Sequence, residues 1–144
     1  MSNATIRVVP APALPDRCRV TSAVHGDIAA FHVYGEVDHR AVAHVRTVLE
    51  SAVGEPSLLL DLSGVVHIDQ AGLETVIDAI ERIRKGGACV AIAVTSPTVL
   101  VPLRALGLSP LVDVASTSIE ALGWLATRAA SPRIERRRIA SAAG

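Results

Sequence analysis

The longest patterned stretch of the chain lies between Ser57 and Lys85. It begins with an apolar run around three consecutive leucines, residues 58–60, and the lack of polar alternation is typical of a strand covered on both faces. We interpret residues 63–64, Ser-Gly, as a turn after that strand. A polar corner at residues 69–72 then precedes apolar residues at three- and four-residue spacing. That spacing predicts an amphipathic helix that ends near Lys85.

Two strands and a helix are predicted before this stretch. The segments 18–24 and 28–34 are rich in apolar residues and are separated by His-Gly-Asp, which predicts an antiparallel hairpin. Asp38 is of a residue type that caps helix N-termini, where it contributes about 1 kcal/mol. We therefore expect a helix from His39 onward.

The same alternation of strands and helices continues after Lys85. Residues 88–94 predict a second buried strand, a helix follows from about Pro97, and residues 111–115 predict a short strand. Thr117 and Glu120 have the spacing of a capping box at the start of a last helix. Strands that alternate with helices form parallel sheets with helical crossovers. We predict an α/β fold in which a mixed β-sheet of four to five strands packs against about four α-helices.

Composition divides the chain into one domain and two flanking segments. Residues 1–16 contain three prolines and are predicted to be a flexible N-terminal lead-in without regular structure. Residues 17–130 are predicted to form one domain. From Arg128 onward the sequence has five arginines and one acid, and its periodicity is lost, so residues 131–144 are predicted to be a disordered basic tail.

Several classes of function are excluded by composition. The aromatic residues are Phe31, Tyr34 and Trp124 alone, so direct nucleic acid binding through base stacking is not expected. No apolar run reaches the roughly 20 residues that span a bilayer, and no signal peptide is apparent, so we expect a cytoplasmic protein without membrane insertion. Cys18 and Cys89 are far apart in sequence, which favours two buried thiols over a disulfide framework.

The sequence also lacks the common catalytic motifs. It contains no G-x-S-x-G, no P-loop and no H-E-x-x-H pattern. His39 and His44 are five residues apart and so do not share the helix face that an i,i+4 pair offers to a metal ion. We expect that the protein is not an enzyme and needs neither a metal nor another cofactor.

Three motifs, in order along the chain, resemble those of the STAS domain (sulphate transporter and anti-sigma factor antagonist). They are G-E-V-D at residues 35–38, LLLDLSGVVHIDQAGL at 58–73, and L-G-L at 106–108. The resemblance extends from about Arg19 to Ala126 and implies the STAS fold.

The resemblance is strongest to the anti-sigma factor antagonists, also called anti-anti-sigma factors. In those proteins a serine that follows the corner aspartate is phosphorylated by a partner that is both a protein kinase and the anti-sigma factor. The unphosphorylated antagonist binds that partner and releases the sigma factor, and the phosphate blocks binding. Gln70 matches the serine in this sequence. Because Gln has no hydroxyl group, the resemblance implies a docking surface without a phosphorylation switch at this position.

The resemblance implies two groups of partner-binding residues. The corner group is Asp69, Gln70, Ala71, Gly72, Leu73 and Thr75. The adjacent loop group is Gly35, Glu36 and Asp38. The nearest hydroxyl groups belong to Ser63 and Thr75, which are alternative phosphorylation sites or structural residues. Asp38 and Asp69 also have a purely structural interpretation as helix caps.

The sequence therefore predicts a non-catalytic regulatory protein that binds a protein partner. The interpretation we favour is an anti-sigma factor antagonist-like regulator of transcription, with an anti-sigma factor/serine kinase-like partner, acting as a monomer or weak homodimer. One alternative is the STAS subunit of an ABC-type lipid transport complex, and another is a STAS signalling scaffold.

Overall fold

The fold consists of six strands and four helices in a computed structural model that describes residues 6–8 and 18–130. The strands are β1 (Ile6–Val8), β2 (Cys18–His25), β3 (Ile28–Val37), β4 (Ser57–Ile68), β5 (Cys89–Ala93) and β6 (Asp113–Ala115). The helices are α1 (Val42–Glu50), α2 (Gln70–Lys85), α3 (Pro97–Ala105) and α4 (Ser118–Ala130).

The strands form one mixed sheet in the order β1-β2-β3-β4-β5-β6. The pairs β1–β2 and β2–β3 are antiparallel, whereas β3–β4, β4–β5 and β5–β6 are parallel. A helix connects the two strands of each parallel pair, as expected for crossover connections. The predicted α/β fold, with five strands between residues 18 and 130 and four helices, is confirmed.

One difference concerns the predicted N-terminal lead-in. Residues 6–8 form the edge strand β1, in which Val8 is the register partner of Thr21, so the expectation that residues 1–16 lack regular structure is wrong at this point. The three prolines follow β1 rather than interrupting it, and the strand is therefore compatible with them. The rest of that segment and the predicted disordered tail, 131–144, lie outside the described residues.

The sheet is covered on both faces, but unequally. Leu58 and Leu60 of β4 belong to the larger core, which is built with residues of α1, α2 and α3. Leu59 points to the opposite face and belongs to a smaller core with Ala121 and Leu125 of α4. All three leucines are fully buried, which agrees with the prediction of a strand covered on both faces.

Strand β4 is longer than predicted. It continues through residues 63–64, where a turn was expected, as far as Ile68. Two shifts in its register with β3 accompany this continuation, one on each side of the Tyr34↔Gly64 and Gly35↔Val65 pairs. A Cβ atom at Gly64 would lie 2.5 Å from Cδ1 of Tyr34. The glycine is therefore explained by the close packing of a tyrosine ring rather than by a turn.

Helix α1 begins later than predicted. Its first residue is Val42, and Ala41 occupies the N-cap position, so the prediction that Asp38 caps a helix from His39 is wrong. The Asp38 carboxylate instead accepts hydrogen bonds from the backbone and the guanidinium group of Arg40, both at 3.0 Å. Residues 39–41 form a turn, which keeps the loop after β3 close to the sheet edge.

Replacement of Gly72 by Ala should destabilise the fold. A Cβ atom at this position would overlap the carbonyl oxygen of Val37 and lie 2.9 Å from Val37 Cγ1. We expect Gly72→Ala to lower the free energy of unfolding by about 1–3 kcal/mol, the usual cost of overpacking, measured by urea denaturation. Gly123→Ala in α4 is the control, because nothing lies within 4 Å of its Cβ position, and alanine should stabilise that helix by up to about 1 kcal/mol. Equal effects of the two substitutions would contradict this explanation.

Candidate functional site

The two predicted groups of site residues meet where the ends of β3 and β4 lie side by side. The backbone N–H of Asp69 donates a hydrogen bond to the carbonyl oxygen of Val37 at 3.2 Å. Asp69 is the N-cap of α2, and its Oδ1 accepts from the N–H of Gly72 at 2.9 Å. Its Oδ2 accepts from the N–H of His39, also at 2.9 Å. One carboxylate thus joins the start of α2 to the loop after β3. From here on, the name corner covers this whole junction, residues 35–40 and 69–75.

The corner contains two carboxylates with lowered pKa values. The hydrogen bond from the Gly72 N–H is the main reason why the pKa of Asp69 lies below its usual range, and the bonds from His39 add to it. The Arg40 side chain does the same for the pKa of Asp38. Both groups are therefore negatively charged at neutral pH. Asp38 is almost buried, whereas about a third of the Asp69 side chain is exposed.

Gln70 is exposed at the first position of α2. Its Nε2 donates a hydrogen bond to Oε2 of Glu74, one helical turn later, at 3.1 Å. Such i,i+4 contacts contribute only a few tenths of a kcal/mol, but this one directs the amide along the helix surface. The corner therefore presents an uncharged amide at the start of α2.

The remaining predicted corner residues are less accessible. Gly72, Leu73 and Thr75 are buried and Ala71 is half-buried. The Thr75 hydroxyl donates to the carbonyl oxygen of Ala71 at 2.9 Å, and the residue is 4% exposed. The exposed residues of the corner, which we call its rim, are His39, Arg40, Gln70 and Glu74.

Three residues of that rim were not singled out from the sequence. His39 and Arg40 are exposed, and each makes a hydrogen bond that belongs to the corner. Glu74 is exposed and holds Gln70. The i,i+4 spacing from Gln70 to Glu74 is a sequence signal that could have identified the last of these. In the loop group, Gly35 and Glu36 are half-buried.

Ser63 lies on β4, outside the corner. It is exposed, and its hydroxyl and its N–H both donate to Oδ1 of Asp61. Oδ2 of Asp61 is hydrogen bonded to Nδ1 of His32 at 2.9 Å. Burial alone would raise the pKa of Asp61, but the hydrogen bonds from His32 and Ser63 outweigh burial and lower it. Of the two predicted hydroxyl groups, that of Ser63 is accessible and that of Thr75 is not.

The His32, Asp61 and Ser63 side chains do not have the arrangement of a nucleophile and its base. The serine hydroxyl is bonded to the aspartate, whereas in a Ser-His-Asp triad it is bonded to the histidine. The part of the chain that the structure describes has no group of three His, Cys, Asp or Glu side chains placed to hold a metal ion. Among the described helices, none is both long and apolar enough to cross a membrane.

The cap formed by Asp69 should contribute stability in a pH-dependent way. We expect Asp69→Ala to cost about 1 kcal/mol at neutral pH, the usual loss for an N-cap residue. Because the folded-state pKa of Asp69 is lowered, the contribution of its charge is present above the unfolded-state pKa of about 3.9. It is lost as the pH falls through the lower folded-state value.

The measurement is urea denaturation of the wild-type and variant chains between neutral pH and pH about 3. The control is Ser96→Ala, because Ser96 is the N-cap residue of α3 but makes no side-chain capping bond, so its removal should cost little at any pH. A cost for Asp69→Ala that stays constant down to the lowest pH would contradict the assigned role of the carboxylate.

Comparison with known proteins identifies the family of the chain. The profile of the STAS domain matches residues 19–121. A crystal structure of an anti-sigma factor antagonist from Mycobacterium paratuberculosis is similar, with 22% identity, a TM-score of 0.68, and coverage of 81% of this chain and 98% of that chain. RsbS from Moorella thermoacetica is 18% identical, with a TM-score of 0.65, over 76% of this chain and 97% of that chain.

The phosphorylated form of the Bacillus cell fate determinant SpoIIAA is also similar, with 18% identity, a TM-score of 0.54, and coverage of 82% of this chain and 96% of that chain. At these identities the likeness establishes the fold. No curated protein sequence matches the chain significantly. The STAS profile covers most of the chain, and it confirms the resemblance seen in the three motifs. The chain belongs to the STAS domain family.

Proposed function

We propose that this protein is a non-catalytic regulator that binds a protein partner through its corner. The STAS fold, shared with solved anti-sigma factor antagonists, supports a regulatory role. The partner we propose is an ATP-binding anti-sigma factor of the serine kinase type. Binding of that partner would release a sigma factor, so the protein would act as an anti-sigma factor antagonist in the cytoplasm, without a cofactor and without direct contact to nucleic acid.

The observation that carries the proposal is the state of Gln70. The side chain is exposed at the start of α2, is uncharged, and is held by Glu74. Phosphorylation of a serine at this position would add about −1.5 to −2 charges at neutral pH. Gln adds no charge, and it has no hydroxyl that could accept a phosphoryl group. The corner is therefore fixed in the equivalent of an unphosphorylated state, which is the state that binds the partner in the proteins it resembles.

The structure of the corner supports a constant docking surface. The shape of the junction depends on Asp69, Gly72 and the Val37 carbonyl group, and none of these contacts involves the side chain of Gln70. A residue at position 70 can thus change without loss of the junction. The corner holds four carboxylates, of Glu36, Asp38, Asp69 and Glu74, and one permanent cation, Arg40. Its net charge is therefore negative, and a partner with a cationic surface fits it best.

The alternative phosphorylation sites differ in accessibility. Phosphorylation of Thr75 would require the first turn of α2 to open, because its hydroxyl is buried and bonded to Ala71. Ser63 is exposed, but a phosphate there would lie next to the carboxylate of Asp61, which now accepts from the Ser63 hydroxyl. Like charges in contact are unfavourable. We propose that neither residue carries a switch.

Restoring a serine should restore the switch. We expect Gln70→Ser to be phosphorylated by the purified anti-sigma factor kinase with ATP, and the wild-type chain and Gln70→Ala to remain unmodified. The measurement is intact-mass and phosphopeptide mass spectrometry. Binding to the kinase should be weakened only in the phosphorylated variant, because the added charge of the phosphate opposes docking. The phosphorylated serine variant should bind the kinase at least about tenfold more weakly than the wild-type chain.

Three results would contradict the proposal. Phosphate on Ser63 or Thr75 of the wild-type chain would show that a switch exists elsewhere. Failure of the wild-type chain to bind any anti-sigma factor kinase encoded near its gene would remove the proposed partner. A pull-down that returns the ATPase of a lipid transporter instead would favour the alternative function.

A further inference from the structure

Half of strand β4 has a strand neighbour on one side only. Its parallel pairing with β5 ends at Asp61↔Ala93, whereas β4 itself continues to Ile68 and pairs there with β3. After Ala93 the chain continues beside β6, since the N–H of Val94 donates to the carbonyl oxygen of Ala115, the last residue of β6. We call the side of residues 62–68 that faces away from β3 the open β4 edge.

The open β4 edge differs from the two outer edges of the sheet. Strands β1 and β6 are three residues long each, and short edge strands offer few unpaired main-chain groups to another chain. The open β4 edge has seven residues, a length of about 20 Å for extended chain. Its sequence, LSGVVHI, contains no lysine, proline or acid, the residue types that block strand addition at natural sheet edges.

Three of the seven residues of this edge are exposed. Ser63 and His67 are exposed, and Val66 is 73% exposed, although it is a large apolar residue in a strand. Val66 has no register partner on β3, because the pairing passes from Gly35↔Val65 to Glu36↔His67. The exposed side chain of Val66 is therefore available for contact with another molecule.

We propose that the open β4 edge binds an extended, cationic segment of the partner protein, which adds a strand beside β4. Exposed strand edges recognise extended peptides through main-chain hydrogen bonds, and alternate side chains supply specificity. A cationic segment fits because the edge lies between Asp61 and Asp69, at its two ends in sequence. The proposal rests on the proposed function, since it assigns a second contact to the same partner next to the corner.

A second copy of this chain fits the edge less well. Two copies related by a two-fold axis would pair this edge antiparallel. In the register centred on Val65, Asp61 would then face Asp69 of the copy, and like charges opposite each other destabilise strand pairs. A partner strand with Lys or Arg near its ends would instead place opposite charges beside Asp61 and Asp69, and such pairs stabilise strand pairing.

The test uses the full chain and a phage-displayed library of short random peptides. Peptides are selected on the wild-type chain, and each recovered peptide is then tested for binding to Val66→Pro. We expect recovered peptides to combine β-branched or aromatic residues with Lys or Arg, and to slow hydrogen–deuterium exchange of residues 62–68. Affinity should fall about tenfold or more for Val66→Pro, which removes one main-chain donor.

Two further variants keep the result interpretable. Val66→Lys leaves the backbone donor in place and places a blocking charge on the edge, so it should also weaken binding if Val66→Pro proves poorly folded. Ile119→Lys is the matched control, because Ile119 is an apolar side chain with 81% exposure on α4, and it should leave the affinity within about twofold. Circular dichroism and thermal unfolding report whether each variant folds.

The possible outcomes separate this proposal from the proposed function. The edge proposal is overturned if no peptide is recovered, if recovered peptides protect other amides, or if Val66→Lys binds them as well as the wild-type chain. It is also overturned if sedimentation shows a dimer that Val66→Lys dissociates, since the occupant is then a second copy. If the anti-sigma factor kinase binds the wild-type chain and Val66→Lys equally, the proposed function stands and the edge contact fails. If peptides add to the edge but no such kinase binds the chain, the edge proposal stands and the proposed function fails.

Discussion

The carboxylate of Asp69 is the contact on which the corner depends. It accepts one hydrogen bond from the first turn of α2 and one from the loop after β3, at the N–H of His39. These segments are 30 residues apart in sequence and come together because β3 and β4 pair in parallel and end side by side. Gly72 allows the approach, because any larger residue would overlap Val37. A cap, a strand pair and a glycine thus position the exposed residues of the corner.

This arrangement separates the shape of the corner from the chemistry at residue 70. The contacts that hold the junction are made by backbone groups and by Asp69, whereas the side chain of Gln70 contacts Glu74 on the surface. A serine, a phosphoserine or a glutamine can therefore occupy the same place in the fold. What changes is the charge that the partner meets, by about −1.5 to −2 for a phosphate and by zero for an amide. In the proposed function, a corner with Gln70 has the same geometry but no regulation by charge.

Local patterns predicted the element order, and contacts distant in sequence account for most of the differences. The apolar run at residues 58–60 and the helical spacing after the corner depend on neighbours along the chain, so the α/β fold could be predicted. Asp38 looks like a cap locally but is bonded to Arg40, and the helix begins three residues later. Gly64 looks like a turn but lies against the ring of Tyr34, 30 residues away. The bond between Asp69 and the His39 N–H has no local signal, whereas that between Gln70 and Glu74 does.

The extension of β4 beyond β5 connects the fold to the proposed docking. If β4 ended at Asp61, level with the end of β5, α2 would begin where both strands end. No unpaired segment of β4 would then lie beside it. Because β4 continues to Ile68, the corner stands at the end of a part of β4 that pairs with β3 but not with β5. A partner that approaches the corner meets its net negative charge and, next to it, main-chain groups that β5 does not reach. Two contacts of different chemistry select a partner more sharply than either alone, since a competitor must match both a charge pattern and an extended backbone.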